Sequence, residues 1–246
     1  MSEAGTITGE ASVPQGLVAS VVSLVGTGPV LLGAYTIAEL TAVDAIVDFL
    51  EARPSDEVLA EAVRSLAARQ LLVAGPPGAQ VQVRGDLGIA VAFQQRARMV
   101  LDARVTGTEA GEPWRILLLP QPERICLVVR IDALGVHELG LYTFDEALRL
   151  LDALLPRGPR AEAEAEAADS GIDAVLAVSE RSALVTVTPF TTDGLAEVAG
   201  DSTDLVLARH EGRLHVFHRD PDDQGKLAPG TPGGKDVHDT LVSLLT

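Results

Sequence analysis

The chain has 246 residues and a formal net charge of −16, with 47% hydrophobic and only 3% aromatic residues. So acidic a chain repels nucleic-acid phosphates and anionic membrane surfaces, and we expect neither as a partner. The length allows one large domain or two small ones, with a core built mainly from Leu, Val, Ile and Ala. The single cysteine, Cys126, excludes an intramolecular disulfide and a multi-cysteine metal site.

The N-terminal part begins with small and polar residues. Residues 1–15 are predicted to form a flexible tail, and they lack the basic segment of a signal peptide. Leu17–Val25 and Pro29–Tyr35 are predicted as two strands around Gly26-Thr27-Gly28, because Gly, Ser and Pro interrupt the apolar run. The same interruptions argue against a membrane-spanning helix. We therefore expect a cytoplasmic protein.

Two helix starts follow. Thr36-Ile37-Ala38-Glu39 has the pattern of a capping box and predicts a helix over about 37–52. Ser55 is the predicted N-cap of a second helix over about 56–69. The apolar positions of this second helix predict a buried stripe of Val58, Leu59, Ala62, Val63 and Leu66.

A short hairpin is predicted after the two helices. Its strands are 71–73 and 81–83, around the turn 75–78. Two helices and a hairpin are the outline of a winged helix, a fold that often binds DNA. Acidic and basic residues balance on the second helix, and the hairpin carries only Arg84. We therefore favour a winged-helix-like shape used for protein contact over one that reads DNA.

The central part of the chain is predicted to be rich in strands. The predicted strands are 98–105, 114–119, 125–131 and 139–142, and a second capping box at Thr143 opens a helix over 144–155. The run from Ala161 to Ala168 alternates Ala and Glu, which leaves no face of a helix free to be buried. We interpret this run as part of a solvated linker.

The part after this linker resembles the part before it. The hairpin Trp114–Arg130 aligns without gaps with Thr203–Arg219, 89 positions later, and each hairpin is preceded by a strand and followed by a helix. The alternative is that any two amphipathic hairpins look alike. We predict two hairpin-plus-helix repeats related by a pseudo-twofold axis.

The predicted fold class is α+β, with antiparallel sheets, flanking helices and a winged-helix-like N-terminal part. Whether the two halves form one domain or two is left open. The predicted segments are a tail (1–15), the winged-helix-like part (16–95), a first unit (96–156), a linker (157–170) and a second unit (171–246).

No pattern in the chain fits catalysis, a cofactor or a metal. His210, His215 and His218 lie near several aspartates, but strand alternation sends positions 215 and 218 to opposite faces. The glycine-rich segment Gly230–Lys235 is one residue too short for a phosphate loop, and Asp236 replaces the hydroxyl residue that binds magnesium. We therefore predict a protein that is not an enzyme and binds no cofactor.

A short apolar loop is the best candidate for partner binding. Leu134-Gly135-Val136-His137 carries apolar character that folding does not require, and we predict Leu134, Val136 and His137 as partner-binding residues. In the alternative interpretation, Leu134 and Val136 fold back onto their own core.

One family resemblance bears on the function. The segment Val63-Arg64-Ser65-Leu66-Ala67-Ala68-Arg69-Gln70-Leu71-Leu72-Val73 resembles a segment of actinobacterial EspG-like proteins, which serve type VII secretion. The resemblance implies a cytosolic chaperone that holds a helical secretion substrate. The alternatives are an adaptor or structural subunit of a larger bacterial assembly, and a winged-helix regulator. The oligomeric state is left open.

Overall fold

The computed structural model describes residues 14–45, 54–73, 81–161, 171–193, 196–219 and 226–246. Its helices are α1 (Gln15–Val25), α2 (Ile37–Ala42), α3 (Asp56–Ala68), α4 (Gly85–Arg96), α5 (Phe144–Leu154), α6 (Gly171–Val178) and α7 (Val237–Leu245). Its strands are β1 (Val30–Thr36), β2 (Leu72–Val73), β3 (Gln82–Val83), β4 (Met99–Thr106), β5 (Arg115–Pro120), β6 (Ile125–Ile131), β7 (Val136–Thr143), β8 (Arg181–Asp193), β9 (Ala196–Ala199), β10 (Thr203–His210), β11 (Arg213–Arg219) and β12 (Leu227–Pro229).

A large antiparallel sheet organises the molecule, and the predicted α+β class is confirmed. The strand order is β1-β7-β6-β5-β4-β8-β10-β11-β12, with β9 added beside the outer end of β8, and β2 and β3 form a separate hairpin. In the centre, Met99–Thr106 of β4 pairs with Ser182–Pro189 of β8. Strands from before and after the predicted linker therefore share one sheet.

Helices pack on both faces of this sheet. On one face, here called the N-terminal face, α1, α2, α3 and α4 bury their apolar sides against β1, β7, β6 and β5. On the opposite face, here called the α5 face, α5 and α7 cover strands from both halves. Because side chains alternate along a strand, each central strand supplies both layers.

The first predicted strand is wrong, because Leu17–Val25 belongs to helix α1. Val18, Val21 and Val25 are its buried residues, at the three- and four-residue spacing of one helix face. Pro14 precedes the helix and Gly26 ends it. The residues that suggested a strand pair have other roles. Gly26 marks the end of the helix, and Ser20 and Ser23 lie on its solvent-exposed side. The second strand of the predicted pair is confirmed as β1.

Both predicted helix starts after β1 are confirmed. Thr36 and Glu39 form a reciprocal capping box on α2, and the Ser55 hydroxyl accepts from Val58 N at the start of α3. The described part of α2 is shorter than predicted, since it ends at Ala42 and Asp44 adopts a φ of 56°. Residues 46–53 of the predicted helix lie outside the described residues.

The predicted buried stripe of α3 is only partly right. Ala62 and Leu66 are buried, but Val58 and Val63 are exposed. The helix contacts α2 through its Leu66 side, so a narrow stripe of its surface is covered. The apolar residues in the sequence of this helix predicted a wider buried stripe than the structure has.

The hairpin β2–β3 forms where the sequence predicts it. Leu72 pairs with Val83, while the predicted turn 75–78 lies outside the described residues. The prediction omitted α4, which follows directly and buries Leu87, Ala90 and Phe93. In addition, β1 pairs with β7 of the large sheet. The winged-helix likeness of this part stays a prediction.

The two halves of the sheet place their elements in the same order. Strands β4-β5-β6-β7 and β8-β10-β11-β12 run outward from the β4–β8 pair, and α5 and α7 lie on the same face. The gapless alignment fails in the second hairpin strand, however. Leu119 pairs with Leu127, whereas Ala208, 89 positions after Leu119, pairs with His215 and not with Val216. The two turns differ in length, and a one-residue shift reverses side-chain facing. The repeat itself stays a prediction.

The first residues of the predicted linker are part of the sheet edge. Leu214 N donates to Pro159 O, and Ala161 N donates to Leu214 O, which forms a parallel bridge beside β11. The alternating Ala and Glu residues 162–168 lie outside the described residues. Residues 159–161 of the predicted linker therefore run beside β11, while the predicted domain boundaries stay predictions.

Candidate partner-binding site

The predicted partner-binding residues lie at the turn between β6 and β7. One Asp132 carboxylate oxygen accepts hydrogen bonds from Leu134 N at 2.8 Å and from Val136 N at 2.9 Å. The backbone adds bonds from Gly135 N to Asp132 O and from Asp132 N to Val136 O. Gly135 has a φ of 76°, a conformation that glycine adopts at little cost. The turn is thereby held in one shape.

Trp114, the residue before β5, supports this turn. Its indole nitrogen donates to Asp132 O at 2.9 Å, and its own backbone N–H donates to Ile131 O at 3.0 Å. The ring is partly exposed, so it adds an amphipathic surface beside the turn. Sequence reasoning placed Trp114 in a strand and did not identify its role here.

Leu134 is the most exposed large apolar side chain among the described residues, at 88%. Val136 is half-buried at the start of β7. The alternative in which both side chains fold back onto the core is therefore wrong for Leu134. A rigid turn that presents one leucine to solvent can insert that side chain into a partner at little cost in conformational entropy.

His137 occupies a different position from the one predicted. Its ring is only 3% exposed, so it does not contribute to the outer surface of the turn. The ring nitrogen Nδ1 lies 3.0 Å from Gly135 O, and because a carbonyl only accepts, Nδ1 carries the proton. Burial lowers the pKa of His137, with a smaller contribution from Arg115. The ring is a neutral support beneath the turn.

The other four histidines lie on β10, β11 and α7. The rings of His210 and His215 lie 6.4 Å apart, while His218 lies on the opposite face, where Nδ1 contacts Gly230 O at 3.1 Å. His238 pairs with Asp152 on α5. In the described part of the chain, no three His, Cys, Asp or Glu residues are placed to hold a metal ion. Asp220, Asp222 and Asp223 lie outside that part.

The glycine-rich segment Gly230–Lys235 forms a tight turn before α7. Gly233 and Gly234 have positive φ values, and the Thr231 hydroxyl donates to Lys235 O. Asp236 is the N-cap of α7, where its carboxylate accepts from Asp239 N at 3.0 Å. A phosphate would bind at the N-terminal end of α7. The Asp236 carboxylate already occupies that position.

Glu39 is a buried carboxylate that sequence reasoning used only as a cap. Its oxygens accept from Thr36 N at 3.0 Å, from Ser65 Oγ at 2.8 Å and from Arg69 Nη1 at 3.0 Å. Burial acts to raise the pKa of Glu39, but these hydrogen bonds and the Arg69 charge outweigh it and lower the pKa. With its oxygens satisfied, Glu39 joins α2 to α3.

Comparisons with known proteins do not identify a family for this chain. No protein-family model matches the chain, and no curated protein is significantly similar to it in sequence. Among the described residues, no helix combines the length and apolar character needed to cross a membrane.

Proposed function

We propose that the chain is a non-enzymatic protein-binding module whose β6–β7 turn contacts the partner. The observation that supports this is the position of Leu134, an almost fully exposed leucine on a turn fixed by Asp132 and Trp114. Exposed apolar side chains on a rigid support are typical of interaction surfaces. The net charge of −16 favours a basic partner.

The resemblance to EspG-like proteins suggests a more specific role. In that form the protein is a cytosolic chaperone that holds a helical substrate of type VII secretion. An adaptor in a larger bacterial assembly would need the same exposed turn. Identification of the partner distinguishes these roles, because a chaperone releases a secreted protein whereas an adaptor stays with an assembly.

Affinity capture from a lysate of the source organism tests the proposal. The bait is the full chain with a C-terminal tag, and mass spectrometry identifies what it retains. Leu134→Ser removes the exposed side chain without opening the core, and Leu24→Ser removes another exposed leucine, on α1. We expect a specific protein that Leu134→Ser loses and Leu24→Ser keeps. Equal recovery with both variants would remove the turn from the interface.

A further inference from the structure

A small cavity lies on the α5 face, between helix α5, strands β5 and β6, and the loop before β5. Its volume is about 230 Å³. It is lined by residues 111–113 of the loop, by Ile116 and Arg130 of the sheet, and by Leu150, Ala153 and Leu154 of α5. Pockets that hold drug-sized ligands have volumes of about 300–1,000 Å³. The cavity therefore suits a smaller ligand, of about the size of one amino acid.

The helix and the sheet give this cavity an apolar wall. Leu150, Ala153 and Leu154 are spaced three and four residues apart, so they share one side of α5. Ile116 is the cross-strand partner of Arg130, and the two side chains lie on the same face of the sheet. Ile116 and Leu154 are buried, Leu150 is half-buried and Ala153 is exposed. The cavity thus combines a hydrophobic wall with access from solvent.

The carboxylate that lines the cavity, Glu112, already has its partners. Its Oε2 accepts from Glu109 N at 3.0 Å and from Arg181 Nη1 at 2.9 Å. These hydrogen bonds lower the pKa of Glu112, so the group is ionised at neutral pH. Arg181 also donates through Nε and Nη2 to Leu154 O at the end of α5. Glu112 and Arg181 therefore offset each other's charge and hold the loop, α5 and β8 together.

Arg130 lines the same cavity, but its guanidinium makes no hydrogen bond to the described residues. Its ion-pair partner among them is Glu138, and the distance of 3.6 Å from Nη1 to Oε2 is longer than a hydrogen bond. The two side chains are 37% and 60% exposed, and ion pairs this exposed contribute little. A guanidinium carries five N–H donors in a planar fork that fits a carboxylate. A ligand carboxylate can thus replace the Glu138 contact at little cost.

We propose that this cavity binds a small carboxylate with an apolar body, of the size of a branched aliphatic acid. The carboxylate accepts hydrogen bonds from Arg130, and the body packs against Ile116 and Leu150. The site goes beyond the proposed function and does not depend on the Leu134 turn. A free acid and the carboxyl terminus of a peptide that ends in an apolar residue present the same chemistry. The experiment distinguishes these two sources.

The test is an NMR titration of the full chain with ¹³C-labelled Ile and Leu methyl groups. The probes are 4-methylpentanoate and its primary amide, which has the same body without the charge. A tripeptide that ends in leucine, with a free or an amidated carboxyl terminus, represents the peptide source. The methyl groups of Ile116 and Leu150 report on the cavity. Salt at about 0.15 M screens the net charge of −16, which otherwise disfavours anions in general.

Three variants locate the site. Arg130→Gln removes the cation and keeps a side chain of similar length. Arg149→Gln is the matched control, because Arg149 is an exposed arginine of α5 that does not line the cavity. Ala153→Leu fills the cavity from an exposed position, so the core is left intact. Circular dichroism melting curves verify that each variant is folded.

We expect saturable shifts of the Ile116 and Leu150 methyl signals with 4-methylpentanoate. The dissociation constant should rise by about tenfold or more for the amide, for Arg130→Gln and for Ala153→Leu, and stay unchanged for Arg149→Gln. Tighter binding of the tripeptide acid than of 4-methylpentanoate would identify a peptide carboxyl terminus as the source, and weaker binding a free acid. Equal constants for acid and amide, equal losses in both Gln variants, or shifts that do not saturate would overturn the proposal.

Discussion

Arg115 of β5 and Asp102 of β4 form a buried, bidentate ion pair. Arg115 Nε and Nη2 each donate to an Asp102 carboxylate oxygen at 2.8 Å. Arg104 Nε donates to the same carboxylate at 3.1 Å. The pair lies beside the central β4–β8 junction, where the two halves of the sheet meet.

Removal of the Asp102 carboxylate should therefore be costly. Asp102→Ala leaves the Arg115 guanidinium buried without this counter-charge, and we expect a loss of about 3–5 kcal/mol in the free energy of unfolding. Urea denaturation followed by circular dichroism measures it. The double variant Asp102→Ala with Arg115→Met should recover part of the loss. If the single variant costs less than about 1 kcal/mol, the pair contributes little.

Gly107, in the loop between β4 and β5, lies close to the backbone of Glu180 just before β8. It has a φ of 70°, and a Cβ there would overlap the Glu180 carbonyl oxygen. Gly111 has a φ of 87° with open space around it. Gly111→Ala should cost about 1 kcal/mol from backbone strain alone, and Gly107→Ala about 3 kcal/mol or more because atoms must also shift. Equal costs in thermal unfolding would contradict the close approach.

His137 should make stability depend on pH. Its pKa is lowered in the folded chain, whereas in the unfolded chain it is about 6.5. Below about pH 6.5 the unfolded state therefore binds more protons, and stability falls as the pH falls, by up to about 1.4 kcal/mol per pH unit. His137→Gln should show a smaller drop between pH 7.5 and 5.5 than wild type, as measured by urea denaturation. Equal drops in the wild type and in His137→Gln would refute this role.

Cys126 should be chemically silent in the folded protein. It is fully buried in β6, and burial raises the pKa of its thiol far above the usual range. Since the thiolate is the reactive form, Ellman's reagent should modify one thiol only after denaturation. Rapid modification of the native chain would show that β6 opens.

Local signals in the sequence predicted much of this fold. Both Thr–x–x–Glu capping boxes form as predicted, because a cap depends on four consecutive residues. The strands β5 and β6 were recognisable since both faces of the sheet are covered there, which leaves long apolar runs. These elements follow from neighbours in the chain.

The errors concern features that depend on the whole fold. Leu17–Val25 is apolar enough to form either a strand or a helix. Its packing on the N-terminal face of the sheet favours the helix, α1. His137 pairs with Tyr35 of β1 on one side and with Ile131 of β6 on the other, so its surroundings depend on three strands.

The affinity of the captured partner, purified and titrated by calorimetry, tests the central claim most directly. Leu134 is exposed and held by its turn, so Leu134→Ser should raise the dissociation constant by about tenfold or more without changing the melting temperature. Leu24→Ser, at a leucine on α1 that is 56% exposed, should leave the constant unchanged. Equal dissociation constants for the wild type and Leu134→Ser would contradict a partner-binding role for the β6–β7 turn.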